Sequence, residues 1–164
     1  MTAETTHDMV LTRTFDASTE RVWQAWTEPD LVKRWWGPQG FTAPVAEMDV
    51  REGGTSLVCM RAPAEFGGQD FYSTWTYGRV VPGERLEYVQ RFTDGDRTPV
   101  DPTDLGLPAD IPREVPHVVT FTALGADRTE VTVTESGYPS TANVEVSRMG
   151  MAQCLDKMGM LFNR

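Results

Sequence analysis

An α+β fold, with an antiparallel sheet of about seven strands curved around a long C-terminal helix, is what this sequence predicts. Three observations carry that reading. In the stretch Thr141 to Arg164, Met151, Leu155, Met158 and Phe162 recur at i, i+4, i+7 and i+11, one face of a long helix. From Phe41 to Glu135 the chain is mostly a run of β-prone segments divided by short glycine-bearing turns, the mark of an antiparallel meander rather than βαβ units. Between the first strand and that meander lie two short apolar-striped segments with helix-start signals, which make a small two-helix wedge.

At 164 residues the chain is expected to form one domain, 1–164, with a core that needs no staples. Its 40% apolar and 24% charged residues are those of an ordinary globular protein. The net charge of −9 argues against nucleic acid and anionic membrane as partners, because both need a cationic footprint. No apolar run reaches the roughly 18 residues of a spanning helix. The opening MTAETTHD has neither a basic nor an apolar signal region, so a cytoplasmic location is expected. Cys59 and Cys154 have no CxxC spacing and no histidine cluster, which predicts reduced core thiols and no metal site. No phosphate loop or other cofactor motif is present, and no cofactor is predicted.

Residues 1–8 read as a polar, flexible arm. Met9 to Phe15 is a first strand, stopped by Asp16-Ala17-Ser18, with Ser18 as a helix N-cap. Val22, Trp23, Ala25 and Trp26 give the first wedge helix its apolar stripe. Pro29 restarts a second, carrying Leu31, Val32, Trp35 and Trp36. Gly37 and Pro38 end it as a left-handed cap and a breaker. Strands follow at 43–50, 55–61, 69–81, 84–92, 114–124 and 129–135, with turns at Gly53-Gly54, Pro82-Gly83 and Gly125 to Arg128. Residues 94–113, with five aspartates and four prolines, form a long insertion whose length suggests a lid or partner-binding loop, or a solvated excursion. The C-terminal helix spans 141–164, with Val144, Met149, Ala152 and Leu161 widening its apolar face.

Hairpin closure at Pro82-Gly83 places Trp75 opposite Gln90 and Tyr77 opposite Tyr88. With side chains alternating, the concave face collects Trp75, Tyr77, Tyr88, Val119 and Phe121, with a polar row of Gln90, His117 and Glu135 toward one end. Met151, Leu155 and Met158 on the terminal helix would close over it. Apolar walls with a few convergent polar groups suit a hydrophobic small-molecule ligand. The alternative is that the aromatics pack straight onto the helix and leave no void. No catalytic residue is assigned: a His117–Glu135 pair is the sole acid–base candidate, and no nucleophile motif accompanies it.

Arg13 to Ser18 (RTFDAS), Glu20 to Thr27 (ERVWQAWT) and Arg34 to Phe41 (RWWGPQGF) resemble the START-like (SRPBCC) superfamily. Within it they are similar to the branch homologous to the C-terminal domain of the activator of heat-shock protein ninety ATPase. Glu52-Gly53-Gly54, Val81 to Leu86 and the closing helix fall where that family has them. The likeness spans about residues 9–163, and its Trp-Trp-Gly-Pro-x-Gly-Phe stretch is specific. The resemblance implies a helix-grip fold, an antiparallel sheet wrapped around the C-terminal helix with a cavity between. Its relatives bind lipids, steroids or polyketides, some are cyclases, and the family has no universal catalytic residue to carry over. This chain departs from the short family form in its acidic loop after Phe92.

Three functional expectations follow. The first is a binder of a hydrophobic or aromatic small molecule; the second, a polyketide-cyclase-like enzyme using His117 and Glu135. The third is a chaperone-linked interaction module using loop 94–113. Exposed edge strands leave room for a homodimer.

Overall fold

Strand pairing runs β1-β7-β6-β5-β4-β3-β2 in a single antiparallel sheet. The structure is a computed structural model described over residues 5–162. The strands are β1 His7–Phe15, β2 Thr42–Glu47, β3 Thr55–Arg61, β4 Asp70–Val81, β5 Arg85–Thr93, β6 Glu114–Gly125 and β7 Arg128–Tyr138. The helices are α1 Thr19–Thr27, α2 Pro29–Trp35 and α3 Thr141–Met160. Because β1 pairs with β7, the strand that leads into α3, the helix returns alongside β1: Arg148 donates to the Val10 carbonyl and Phe162 meets Phe15 edge to face. This is the helix-grip arrangement, an α+β fold.

The wedge forms where its local signals put it. The Ser18 hydroxyl accepts from the Arg21 amide at 3.3 Å, and Pro29 occupies the first helical position of α2. Trp26 and Trp35 pack at 4.8 Å between ring centroids, and the Trp35 indole donates to the Ala25 carbonyl at 2.7 Å. Trp23 meets Phe121 of β6 edge to face, which ties α1 to the sheet. Gly37 ends the wedge at φ +99°. A Cβ there would stand 3.0 Å from that of Phe41 and 3.2 Å from that of Met60, so both backbone and space require glycine.

Helix α3 starts at the Ser140 cap, whose hydroxyl accepts from the Asn143 amide. It buries Val144, Met151, Cys154, Leu155 and Met158. Met149 was expected to widen this face and instead is 64% exposed. Two residues from Met151, at about 100° per residue, it lies on the far side of the helix.

Three boundaries are corrected. Of the arm expected over 1–8, residues 1–4 lie outside the described residues and His7 and Asp8 already belong to β1, where His7 pairs with Tyr138. The helix expected over 141–164 ends at Met160 in a tightened turn, Leu161 N to Met158 O at 3.0 Å, and residues 163–164 lie outside the described residues. Strand β7 runs on past Glu135 to Tyr138 through a bulge at Gly137.

Candidate functional site

The β4–β5 register pairs Trp75 with Gln90 and Tyr77 with Tyr88, and β5–β6 pairs Tyr88 with His117. These residues share the inner face and form a column. Trp75 stacks on Tyr88 at 4.8 Å, Tyr88 stacks on His117 at 4.6 Å, and Trp36 from the wedge meets Trp75 edge to face at 5.1 Å. Side chains therefore fill this end of the grip. Trp75, Tyr77, Tyr88, Val119, Phe121, Leu155 and Met158 are all core residues, none more than 5% exposed.

At the other end the packing opens into a cavity of about 240 Å³ between the sheet and the N-terminal half of α3. Its apolar walls are Trp36, Pro38 and Met60 on one side, Phe92 and Val115 on the sheet, and Val146, Met151 and Cys154 on the helix. Leu107 and Ile111 close the rim from the acidic loop. Gly150 also lines it: a Cβ there would meet nothing nearer than Pro38 Cγ at 4.0 Å. Of the residues expected from the sequence, Gln90, Glu135 and Met151 line the cavity.

The polar row acquires a geometry that strand alternation alone did not supply. Register along β1–β7 runs from His7–Tyr138 to Met9–Glu135, so three steps on β7 face two on β1. With Gly137 at φ +95°, this bulge brings Tyr138 to the same side as Glu135, although a regular strand would oppose them. The Glu135 carboxylate Oε1 then accepts from both the Tyr138 and Ser147 hydroxyls. Across the β6–β7 pair, His117 Nε2 lies 3.2 Å from Glu135 Oε2, with both side chains buried. The approach lacks the alignment of a regular hydrogen bond. His117 Nδ1 lies 2.9 Å from the Val115 carbonyl, which only accepts, so Nδ1 carries a proton.

Burial by itself pushes the Glu135 carboxyl up. His117 and the hydroxyls of Ser147 and Tyr138 outweigh burial and hold it below the ordinary carboxylate range. Burial, reinforced by the Glu135 charge, drives the Tyr138 phenol up, so it stays a donor. Asn143 and Gln90 complete the polar wall. Asn143 Oδ1 accepts from Ser140, and Gln90 donates to Ser73 at 3.3 Å.

Two devices hold the cavity mouth. Lys157 on α3 donates to the carbonyls of Gly37, Pro38 and Phe41 at 2.9, 3.4 and 3.2 Å, and Gln153 accepts from the Gln39 amide. The tryptophan-rich loop after α2 is thus fastened to the helix. The acidic loop is tied to the sheet by Gln69, which donates to the Leu105 carbonyl, and by Arg97, which donates to the Thr55 carbonyl; an Asp101–Arg113 ion pair braces it internally. It also contains a short 3-10 turn, Pro102–Leu105.

Sequence reasoning missed Tyr138, Asn143 and Ser147, and the loop contribution of Leu107 and Ile111. A glycine inside a strand was the available signal for the first, since it marks a bulge. Among the described residues no group of three or more His, Cys, Asp or Glu is placed to hold a metal ion. No helix among them is long and apolar enough to cross a membrane.

A sheet gripping a terminal helix, with a part-apolar cavity between them, defines a protein of the START-like class. Residues 16–163 match the family model for activator of Hsp90 ATPase homolog 1-like protein, and the chain belongs to that family. It is similar in structure to a protein of Chromobacterium violaceum, 27% identical, covering 96% of this chain and 97% of that one with a TM-score of 0.76. A Mycobacterium smegmatis protein, 24% identical over 95% and 90% of the two chains, superposes with a TM-score of 0.73. The AHSA1 protein of Silicibacter pomeroyi, 16% identical over 94% and 96%, also gives 0.73 and shares the fold. No curated protein matches the chain.

Proposed function

We propose that this protein binds a small hydrophobic or aromatic molecule in the cavity between the sheet and α3. The observation that carries the reading is the cavity itself, about 240 Å³ and walled by Trp36, Met60, Phe92, Leu107, Ile111 and Met151. An engineered apolar cavity of about 150 Å³ takes up benzene, so this larger one, open at its rim, has room for a two- or three-ring molecule. The acidic loop serves as its lid, turning Leu107 and Ile111 inward while Asp96, Asp104 and Asp110 stay in solvent. Two unpaired buried thiols fit a reducing compartment, and we assign the protein to the cytoplasm.

A binding role fits the polar groups better than catalysis does. Both nitrogens of His117 face protein partners, and His117 is set behind Glu135 rather than on the cavity wall. Glu135 accepts two hydroxyl hydrogen bonds and is held below the usual range, which makes it a poor proton acceptor.

The test is fluorescence of 1-aminoanthracene, a neutral dye that brightens in apolar sites. Wild type should enhance it, and Met151→Arg should abolish the enhancement while far-UV circular dichroism is retained. Ile111→Arg, on the half-buried rim, provides the same test without touching the core. Enhancement unchanged in both variants would rule this cavity out as the ligand site.

A further inference from the structure

We infer that the ligand carries a neutral hydroxyl, seated between Glu135 and Asn143 at the polar end of the cavity. The inference rests on the reading of the cavity as a ligand site and specifies the chemistry it accepts.

The polar wall offers both acceptors and donors. A carboxylate presents about four lone-pair positions. Tyr138, Ser147 and His117 address three of those on Glu135, leaving room for one more donor. Gln90 spends its amide nitrogen on Ser73 and keeps its carbonyl oxygen as an acceptor. On the donor side, Asn143 Oδ1 is taken by Ser140, so its amide nitrogen remains.

Of the common headgroups, a neutral hydroxyl both donates and accepts well through one atom, whereas an aromatic amine accepts poorly. A carboxylate or phosphate would bring negative charge against the buried Glu135 carboxylate, in surroundings where little water screens it. An ammonium could donate to Glu135 but could accept nothing from Asn143. The acidic loop and the net charge of −9 add to the bias against anions.

Four probes of one ring system separate the cases: naphthalene, 2-naphthol, 2-naphthoate and protonated 2-naphthylmethylamine, each displacing 1-aminoanthracene. The expected order is 2-naphthol first and naphthalene next, with 2-naphthoate weaker than 2-naphthol by about tenfold or more. In Glu135→Gln the carboxylate is gone, and 2-naphthoate should recover to within a few-fold of naphthalene. If that variant does not fold, the wild-type order decides alone. Naphthoate or the ammonium binding as tightly as 2-naphthol would overturn the hydroxyl assignment while leaving the cavity reading intact. Failure of naphthalene and all its derivatives to bind would overturn both.

Discussion

His117 and Glu135 sit directly opposite each other on β6 and β7, buried, with Nε2 3.2 Å from Oε2. The pair is supported from three directions: the Val115 carbonyl behind the imidazole, and the Tyr138 and Ser147 hydroxyls on the carboxylate. Tyr88 stacks on the imidazole at 4.6 Å, so the aromatic column ends on this pair. The boundary between filled core and open cavity falls at Glu135, which faces His117 on one side and lines the cavity on the other.

That arrangement makes stability acid-sensitive. The Glu135 carboxyl is held below its ordinary value of 4.5 in the folded state, so the unfolded chain binds its proton first. Its contribution is full above about pH 4.5 and is lost as pH falls through the lower folded value. Urea midpoints measured from about pH 6 to about pH 3 should drop, and Glu135→Gln should flatten the drop. Asp70, held low by Arg61, and Asp101, held low chiefly by the Thr103 amide and hydroxyl, lie at the surface and contribute little. His117→Ala, which leaves the carboxylate with only the Tyr138 and Ser147 hydroxyls, should cost about 1–3 kcal/mol at neutral pH. An acid limb identical in wild type and Glu135→Gln would show that the pair has no such role.

The order of elements was legible in the chain because each boundary has a local cause: Ser18 as a cap, Pro29 at a first turn, Pro82-Gly83 at a hairpin. The pairings of Trp75 with Gln90 and Tyr77 with Tyr88 match that reading because two departures cancel: the turn takes three residues, so Val81 pairs with Arg85, and a bulge between Tyr77 and Val80 restores the register. Alternation stops being a guide at Gly137, where a bulge turns Tyr138 inward, and it says nothing of Asn143 and Ser147, which arrive on a helix. Periodicity also cannot tell a core side chain from a cavity-lining one. Leu155 and Met151 share a helix face, yet only Met151 borders the open space. The sequence of loop 94–113 carries no periodic signal at all, and its Leu107 and Ile111 reach the rim through tertiary ties at Gln69 and Arg97.

Lys157 should matter more for the cavity mouth than for the core. Its ammonium, with burial lowering its affinity for the proton, donates to the carbonyls of Gly37, Pro38 and Phe41 and faces no carboxylate there. Lys157→Met keeps the aliphatic stem but leaves the Gly37 and Phe41 carbonyls without this donor, which should destabilise by about 1–3 kcal/mol. Hydrogen exchange should quicken at the Phe41 amide, which donates to Pro38, ahead of the strand amides. Uniform exchange across loop and sheet would count against a local clamp.

Both thiols should be inert in the folded protein. Burial pushes Cys59 up to about 11 and Cys154 up to about 12, so little thiolate exists near pH 8. Iodoacetamide labelling followed by mass spectrometry should therefore track urea unfolding for both residues together. Cys154 borders the cavity, and faster labelling there than at Cys59 under native conditions would mean that the rim opens on its own.

Gly150 sets stability against cavity volume. A glycine inside a helix costs about 1 kcal/mol relative to alanine, and α3 carries this one where a side chain would point into the open space. The Gly150 Cβ position lies 4.0 Å from Pro38 Cγ, an ordinary contact, so alanine fits without strain. Gly150→Ala should thus raise stability by about 0.5–1 kcal/mol in urea titrations and weaken 1-aminoanthracene binding only slightly. Gly150→Leu should keep most of the helical gain but occupy the cavity, and dye binding should fall about tenfold or more. Loss of binding in the leucine variant, with its melting point held or raised, separates the cavity from the fold. A leucine variant that binds dye as wild type does would mean that the dye sits elsewhere, and one that melts earlier would mean that the space beside Gly150 is already closed.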